Sequence, residues 1–277
     1  MPEINCKICG SAKVEAFEIG GHRLIKCADC TAIFSEKIPG EEELRKYYES
    51  EYKIFPEEPL VREQRRIARI PEQFSLIREI SDFIPAPSRI LDIGCDKGFF
   101  LDECRRMGYQ AAGVEPSENA RKYAENIGLN IYKSLSDADG EFDVCTMWHS
   151  LEHHPDPVAS LGEIRSRLRD GGMVFVRVPN FHQVWQKLFR QRWIWFQPEN
   201  HYYHFGIKSL GTALKKAGFR VERIESRRSN TRLTRRMDWA SRLMFGELFG
   251  ARRSLRKRVG RAYENVTGVE VFAAARK

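Results

Sequence analysis

From residue 89 onward, short apolar runs alternate with stretches whose apolar residues recur every three or four positions. The runs at 89–93, 110–115, 129–133, 142–147, 173–178, 219–224 and 269–274 read as strands. Between them, 99–107, 117–127, 157–169 and 208–217 read as helices. Three of these end near Gly108, Asp170-Gly171-Gly172 and Gly218, where glycine supplies the left-handed stop. Strands spaced by helices predict an α/β fold with a mostly parallel sheet covered on both faces. The first 38 residues differ, reading as short β segments around two cysteine knuckles. Residues 41–48 carry acids in the first turn and Leu44, Tyr47 and Tyr48 at helical spacing. The stretch 60–84 reads as helices broken near Pro71, and Pro85-Ala-Pro87-Ser88 marks a boundary.

At 277 residues and 42% hydrophobic, the chain can bury a large core, which excludes wholesale disorder. No run approaches the ~18 apolar residues of a membrane span. The opening Met-Pro-Glu-Ile-Asn-Cys lacks the layout of a secretory signal, so a soluble, cytoplasmic protein is expected. The net charge of +8 is unevenly distributed. Residues 220–261 hold 14 Lys and Arg against 4 Asp and Glu, which leaves the remainder slightly acidic. A general polyanion-binding surface would spread the excess more widely.

Four of the seven cysteines form two pairs, Cys6-Lys-Ile-Cys9 and Cys27-Ala-Asp-Cys30. Each Cys-x-x-Cys turn presents two sulfurs to one ion, and a hairpin between the turns brings the pairs together. Zinc is expected at Cys6, Cys9, Cys27 and Cys30. A segment this small has little core, so the metal would supply its folding energy. Cys95, Cys104 and Cys145 sit in apolar or motif contexts and read as reduced thiols.

The strongest functional signal is Leu91-Asp92-Ile93-Gly94-Cys95-Asp96-Lys97-Gly98, a strand entering a glycine turn before a helix. In open α/β sheets, ligands sit at the carboxyl ends of the strands, where such a turn lets backbone approach them. The next strand ends in Glu115, whose carboxylate can accept both hydroxyls of a ribose.

Residues 89–225 resemble class I S-adenosylmethionine-dependent methyltransferases, closest to the small-molecule, ubiquinone-type O-methyltransferase branch. The resemblance rests on five ordered stretches: Leu91-Asp92-Ile93-Gly94-Cys95 with Gly98; Gly113-Val114-Glu115-Pro116; Phe142-Asp143-Val144 leading to His149-Ser-Leu-Glu152-His153; Leu168-Arg-Asp-Gly171-Gly172; and Ala217-Gly218-Phe219. It implies a Rossmann-like seven-stranded sheet over 89–277, with a cap insertion at 180–206 and a basic amphipathic insertion at 227–266. Residues 1–38 would be the zinc ribbon and 39–88 a helical connector. The resemblance assigns Asp92, Gly94, Cys95 and Gly98 to the methionine part of S-adenosylmethionine, Glu115 to its ribose and Pro116 to its adenine. It departs at Asp96, where the family usually has a small residue, often glycine.

His149, Glu152 and His153 follow the fourth strand, where the family places the transferred methyl. If a helix begins there, 149 and 153 share a face. Two readings stand: His149 as general base on an acceptor hydroxyl, or a His-Glu-His patch holding a metal, as the Glu-x-x-Glu-His of ubiquinone-type relatives does. His153 is the second candidate base. Trp193, Trp195 and Phe196, followed by His201, Tyr203 and His204, suit an acceptor pocket, with His201 the third catalytic candidate. The basic segment 227–261 interleaves charge with Trp239, Phe245 and Phe249 and suits peripheral contact with an anionic membrane.

These features together predict methyl transfer to a hydroxyl of a small acceptor, such as a nucleotide- or lipid-linked sugar. The rivals are an RNA methyltransferase docking through the ribbon and basic segment, and a non-catalytic partner protein on the same fold. Nucleic acid is the weaker partner, because the basic charge is confined to one segment.

Overall fold

The structure is a computed structural model and describes residues 4–48, 59–182, 186, 196–227 and 270–277. Trp193 and Trp195 of the aromatic cluster, and the basic insertion beyond Arg227, lie outside the described residues.

The amino-terminal part is a small antiparallel sheet. Strands β1 (Val14–Ile19) and β2 (His22–Cys27) pair along their full lengths, from Val14↔Cys27 to Ile19↔His22. Gly20 and Gly21 join them at φ 58° and 81°, the two left-handed positions that a tight hairpin turn requires. Strand β3 (Ile33–Ser35) adds to β2. Helices α1 (Glu41–Lys46) and α2 (Pro59–Ser81) follow. The break expected at Pro71 does not occur, since α2 continues through it. Leu76, Ile77 and Ile80, one turn and more beyond the proline, are buried in the core, and that burial outweighs the lost backbone bond.

The main sheet contains β4 (Arg89–Ile93), β5 (Gln110–Val114), β6 (Asn130–Tyr132), β7 (Phe142–Trp148), β8 (Leu168–Pro179), β10 (Arg220–Arg227) and β11 (Glu270–Arg276). Its order is β10-β11-β8-β7-β4-β5-β6, and the neighbours from β8 to β6 pair in parallel. Strand β11 runs antiparallel to both β8 and β10.

The crossovers are α3 (Phe99–Arg106), α4 (Glu118–Asn126), α5 (Pro157–Arg167) and α6 (Ile207–Lys216). Asp156 caps α5 by accepting the Val158 and Ala159 amides, and Ser117 caps α4. Residues of α2, α3 and α4 pack with Ile90, Val144 and Phe175 on one face. Residues of α5 and α6 pack with Leu91, Cys145 and Val174 on the other, in one cluster with Ile25 and Phe34 of the cysteine-bearing sheet.

One pairing departs from the expected division of the chain. A two-residue strand, β9 (Tyr203–His204), lies within the segment read as a cap insertion. It joins the small sheet, in the order β1-β2-β3-β9, with Ile33↔His204 and Phe34↔Tyr203.

Candidate functional site

The glycine turn after β4 is built from left-handed residues: Gly94 at φ 76°, Asp96 at 48° and Gly98 at 73°. The Gly94 and Cys95 amides both donate to the Val114 carbonyl, folding the turn against the end of β5. Position 96 lies in the region that glycine occupies most easily, which accounts for the family's small residue there. Aspartate is among the few side chains that tolerate it. A Cβ at Gly94 would come within 2.6 Å of Ser150 Oγ, and one at Gly113 within 2.5 Å of Cys95 Sγ. Cys95 therefore contributes backbone to the turn while its thiol packs over Gly113.

Asp92 and Glu115 are brought together here, and both are buried. Asp92 Oδ1 accepts the Thr146 hydroxyl at 2.7 Å. Glu115 accepts the Asp96 amide at 3.0 Å and the Ser117 amide at 2.8 Å. Pro116 is steadied by its carbonyl, which accepts from Arg121 at 2.6 Å. Burial raises both acids to about 7, against the opposing hydrogen bonds that favour their charged forms. Two buried carboxyls beside an open glycine turn form a donor set that fits a cation carrying hydroxyls. S-adenosylmethionine, with its sulfonium, ammonium and ribose, is such a molecule.

The second group follows β7. A helix does not start at His149. Only Leu151–His153 makes a 3₁₀ turn, because Pro155 and Pro157 stop it, and His149 itself is left-handed at φ 54°. His149 and His153 therefore do not share a helical face. His149 donates its amide to the Arg177 carbonyl, and its Nε2 meets Glu270 Oε1 at 3.0 Å. Its Nδ1 lies 3.6 Å from Glu152 Oε1. Burial disfavours the imidazolium, but the Glu152 and Glu270 carboxylates that face the ring outweigh it and lift His149 to about 9. Both carboxylates facing the ring favour its protonated form. Arg177 also lies 3.5 Å from Glu72 and 3.7 Å from Glu270, so His149 and Arg177 share three carboxylates, Glu72, Glu152 and Glu270, at the head of β7, β8 and β11.

Glu152, His153 and His201 converge instead, their ligand atoms all within 4.8 Å of one another. Glu152 and His201 are buried. Among the described residues, neither Glu152 oxygen reaches a hydrogen-bond partner. Burial opposes the Glu152 charge, but the His149 contact and the nearby His153 and His201 hold its carboxyl down at about 2. His153 Nδ1 lies 2.8 Å from the Asn200 carbonyl, which can only accept, so Nδ1 carries a proton and, in the neutral ring, Nε2 carries the lone pair. The His201 ring meets that of His153 edge-on at 4.8 Å. These three groups can take an acceptor hydroxyl or a cation. His204 belongs elsewhere. It is buried among Phe181 and Phe196, and burial lowers it to about 3. Ser150, beside Gly94, joins the two halves of the site.

The cysteines also come together. Cys6 Sγ lies 3.5 Å from Cys30 Sγ, and Cys9 Sγ 3.6 Å from Cys27 Sγ. A tetrahedral ion with Zn–S of ~2.3 Å places its sulfurs ~3.8 Å apart, which matches. The Cys30 amide lies 3.5 Å from Cys27 Sγ, directed at a sulfur that a metal would hold as thiolate. The Cys30 contact draws the Cys6 thiol down to about 5.

Sequence reasoning missed Glu270 and Thr146. Glu270 opens the strand Glu270–Arg276, ahead of the apolar run 271–275, and a lone acid there was its only signal. Thr146 lies mid-strand in β7 and carried none.

Comparison with known proteins matches a family described as a methyltransferase domain to residues 61–224, more than half of the chain. Among curated relatives, the ubiquinone biosynthesis O-methyltransferase of Actinobacillus pleuropneumoniae is 33% identical over 107 residues, 33% of this chain and 46% of its own length. That of Aeromonas salmonicida is 35% identical over 103 residues, 33% of this chain and 43% of its own. The chain thus matches slightly under half the length of these relatives. A SAM-dependent methyltransferase structure from Archaeoglobus fulgidus superposes with a TM-score of 0.53 at 21% identity, covering 76% of this chain and 94% of that one. Both the order of the seven strands and the matched residues lead to one conclusion: the chain belongs to the methyltransferase-domain family, with the fold of class I S-adenosylmethionine-dependent methyltransferases.

Proposed function

We propose that the protein transfers the methyl group of S-adenosylmethionine to a hydroxyl of a small acceptor, with His153 as the base. The observation that carries this reading is the His153 tautomer: Nδ1–H is committed to Asn200, which presents a basic Nε2 beside ionised Glu152. The O-methyltransferase names of the curated relatives support oxygen as the atom modified.

Bound S-adenosylmethionine supplies an electrophilic methyl on a sulfonium. The backbone of the Gly94–Gly98 turn and the Asp92 carboxylate would hold its methionine part, and Glu115 its ribose. His153 Nε2 takes the acceptor proton as the oxygen attacks. The buried Glu152 carboxylate stabilises the imidazolium that results, and the Asn200 carbonyl keeps the ring from turning. His201 lines the acceptor side. His149, held by Glu270, keeps Glu152 ionised and takes no proton from the acceptor. Most of the acceleration comes from aligning oxygen and methyl. A structural zinc at Cys6, Cys9, Cys27 and Cys30 completes the assignment.

The test is a transfer assay with labelled cofactor against nucleotide sugars, lipid-linked sugars and phenols. One class should accept label, and His153→Ala should slow transfer by ~10²–10⁴-fold with cofactor affinity unchanged. A wild-type protein that does not bind S-adenosylmethionine in calorimetry would overturn the proposal.

A further inference from the structure

The acceptor side of the site is carried by backbone that belongs to the cysteine sheet. Asn200, whose carbonyl orients His153, lies just before β9. The Tyr202 amide donates to the Glu152 carbonyl at 2.9 Å, while the Tyr202 carbonyl accepts the Ser35 amide at 2.9 Å. Tyr203 pairs with Phe34 and donates its hydroxyl to the Pro155 carbonyl at 2.9 Å. One short segment therefore touches Glu152, His153 and the end of their turn on one side, and β3 on the other.

Strand β9 has only two residues and lies at the edge of its sheet, with β3 as its sheet neighbour. Strand β3 in turn has three residues and begins three positions after Cys30. The link from knuckle to strand is tight. Thr31 is left-handed at φ 64°, the Cys27 amide donates to Ala32, and the Thr31 carbonyl accepts His182 Nε2 at 2.8 Å. His182 lies at the start of the segment that returns to β9. Strands this short do not hold their own register, so the knuckle is the rigid body on which they rest.

We propose that the four-cysteine sheet is a positioning element of the acceptor site. Metal held by Cys6, Cys9, Cys27 and Cys30 fixes β3, β3 fixes residues 200–204, and these fix Glu152 and His153. The cofactor half shares an apolar cluster with this sheet through Leu91, Ile93 and Val114, but its polar groups are held from elsewhere. Asp92 and Glu115 are held by Thr146, Asp96 and Ser117 of the main sheet and its turns. Metal loss should therefore loosen the acceptor half more than the cofactor half. Calling that half the acceptor side rests on the function proposed above, whereas its support by the cysteine sheet does not.

The experiment is hydrogen exchange by mass spectrometry on the full chain, with calorimetric binding of S-adenosylmethionine to the same samples. Wild-type protein carrying one zinc is compared with Cys27→Ser and with His182→Ala, which removes the strut without touching a cysteine. In Cys27→Ser, exchange across 200–205 should rise at least tenfold, while peptides of β4 and β5 and the cofactor affinity change less than threefold. His182→Ala should retain zinc and raise exchange at 200–205 by a smaller factor. Unchanged exchange at 200–205 in both variants would overturn the proposal. So would wild-type protein without metal, or exchange rising equally in β4 and β5, which would make the metal a requirement of the whole fold. Failure of cofactor binding in wild type would strike the function above and leave the exchange result standing.

Discussion

Binding of S-adenosylmethionine should expel protons, and the amount follows from the two buried acids. Asp92 and Glu115 each stand at about 7 in the ligand-free protein, because burial penalises their charged forms. At pH 7 each is then about half protonated. A cation within ~4–6 Å lowers a carboxyl by ~1–3 units, and hydroxyls donating to a carboxylate act in the same direction. A drop of ~2 units in each empties both, so close to one proton should leave per cofactor bound at pH 7, and almost none at pH 9. The same linkage weakens affinity by roughly tenfold per carboxyl between pH 7.5 and pH 6. Calorimetry in buffers of different ionisation enthalpy reads the proton count directly. Asp92→Asn should halve it, and S-adenosylhomocysteine, which lacks the sulfonium charge, should release less. A binding enthalpy independent of buffer, together with an affinity flat from pH 6 to 7.5, would refute the argument.

Glu270→Gln should remove part of what holds His149 at about 9, leaving the share of Glu152. A raised histidine contributes stability that is complete below its unfolded value of ~6.5 and lost as pH rises through about 9. The wild type should therefore lose urea stability between pH 6.5 and 9, and the variant should show a flatter profile; equal slopes would count against the ion pair. Glu152, lowered to about 2, contributes stability that is present above its ordinary range near 4.3 and lost as pH falls through about 2. Glu152→Gln should accordingly flatten the acid limb of the same measurement, and an unaltered limb would contradict this. Gly113→Ala would drive a methyl to within 2.5 Å of Cys95 Sγ and 2.7 Å of Leu101 Cδ1. It should cost ~1–3 kcal/mol in thermal or denaturant unfolding, whereas unchanged stability would mean that the turn can shift freely.

What the sequence determined by itself was local. Period-two runs, helical spacing and glycine stops foretold the alternation of strands and helices, because side-chain direction repeats with backbone geometry. Asp92, Gly94, Gly98 and Glu115 were legible for the same reason: strand, turn and helix start lie within one stretch of chain, and the partner strand is the next one. The two cysteine pairs were legible because a metal imposes its own spacing. Pro71 was misread because burial of Leu76, Ile77 and Ile80, a tertiary term, outweighs the local one. The setting of His149 lay only partly in a local pattern: Glu152 is three positions on, but Glu270 is 121 positions away, brought alongside by the antiparallel insertion of β11 next to β8. The pairing of β3 with β9 joins Phe34 to Tyr203 across most of the chain, and no periodicity in either short strand records it. Sequence separation costs nothing once the chain has folded, but a window read along the chain contains only one partner of such a contact. What surrounds each histidine is for that reason a tertiary matter: carboxylates face His149 against the cost of burial, and a backbone carbonyl faces His153 Nδ1.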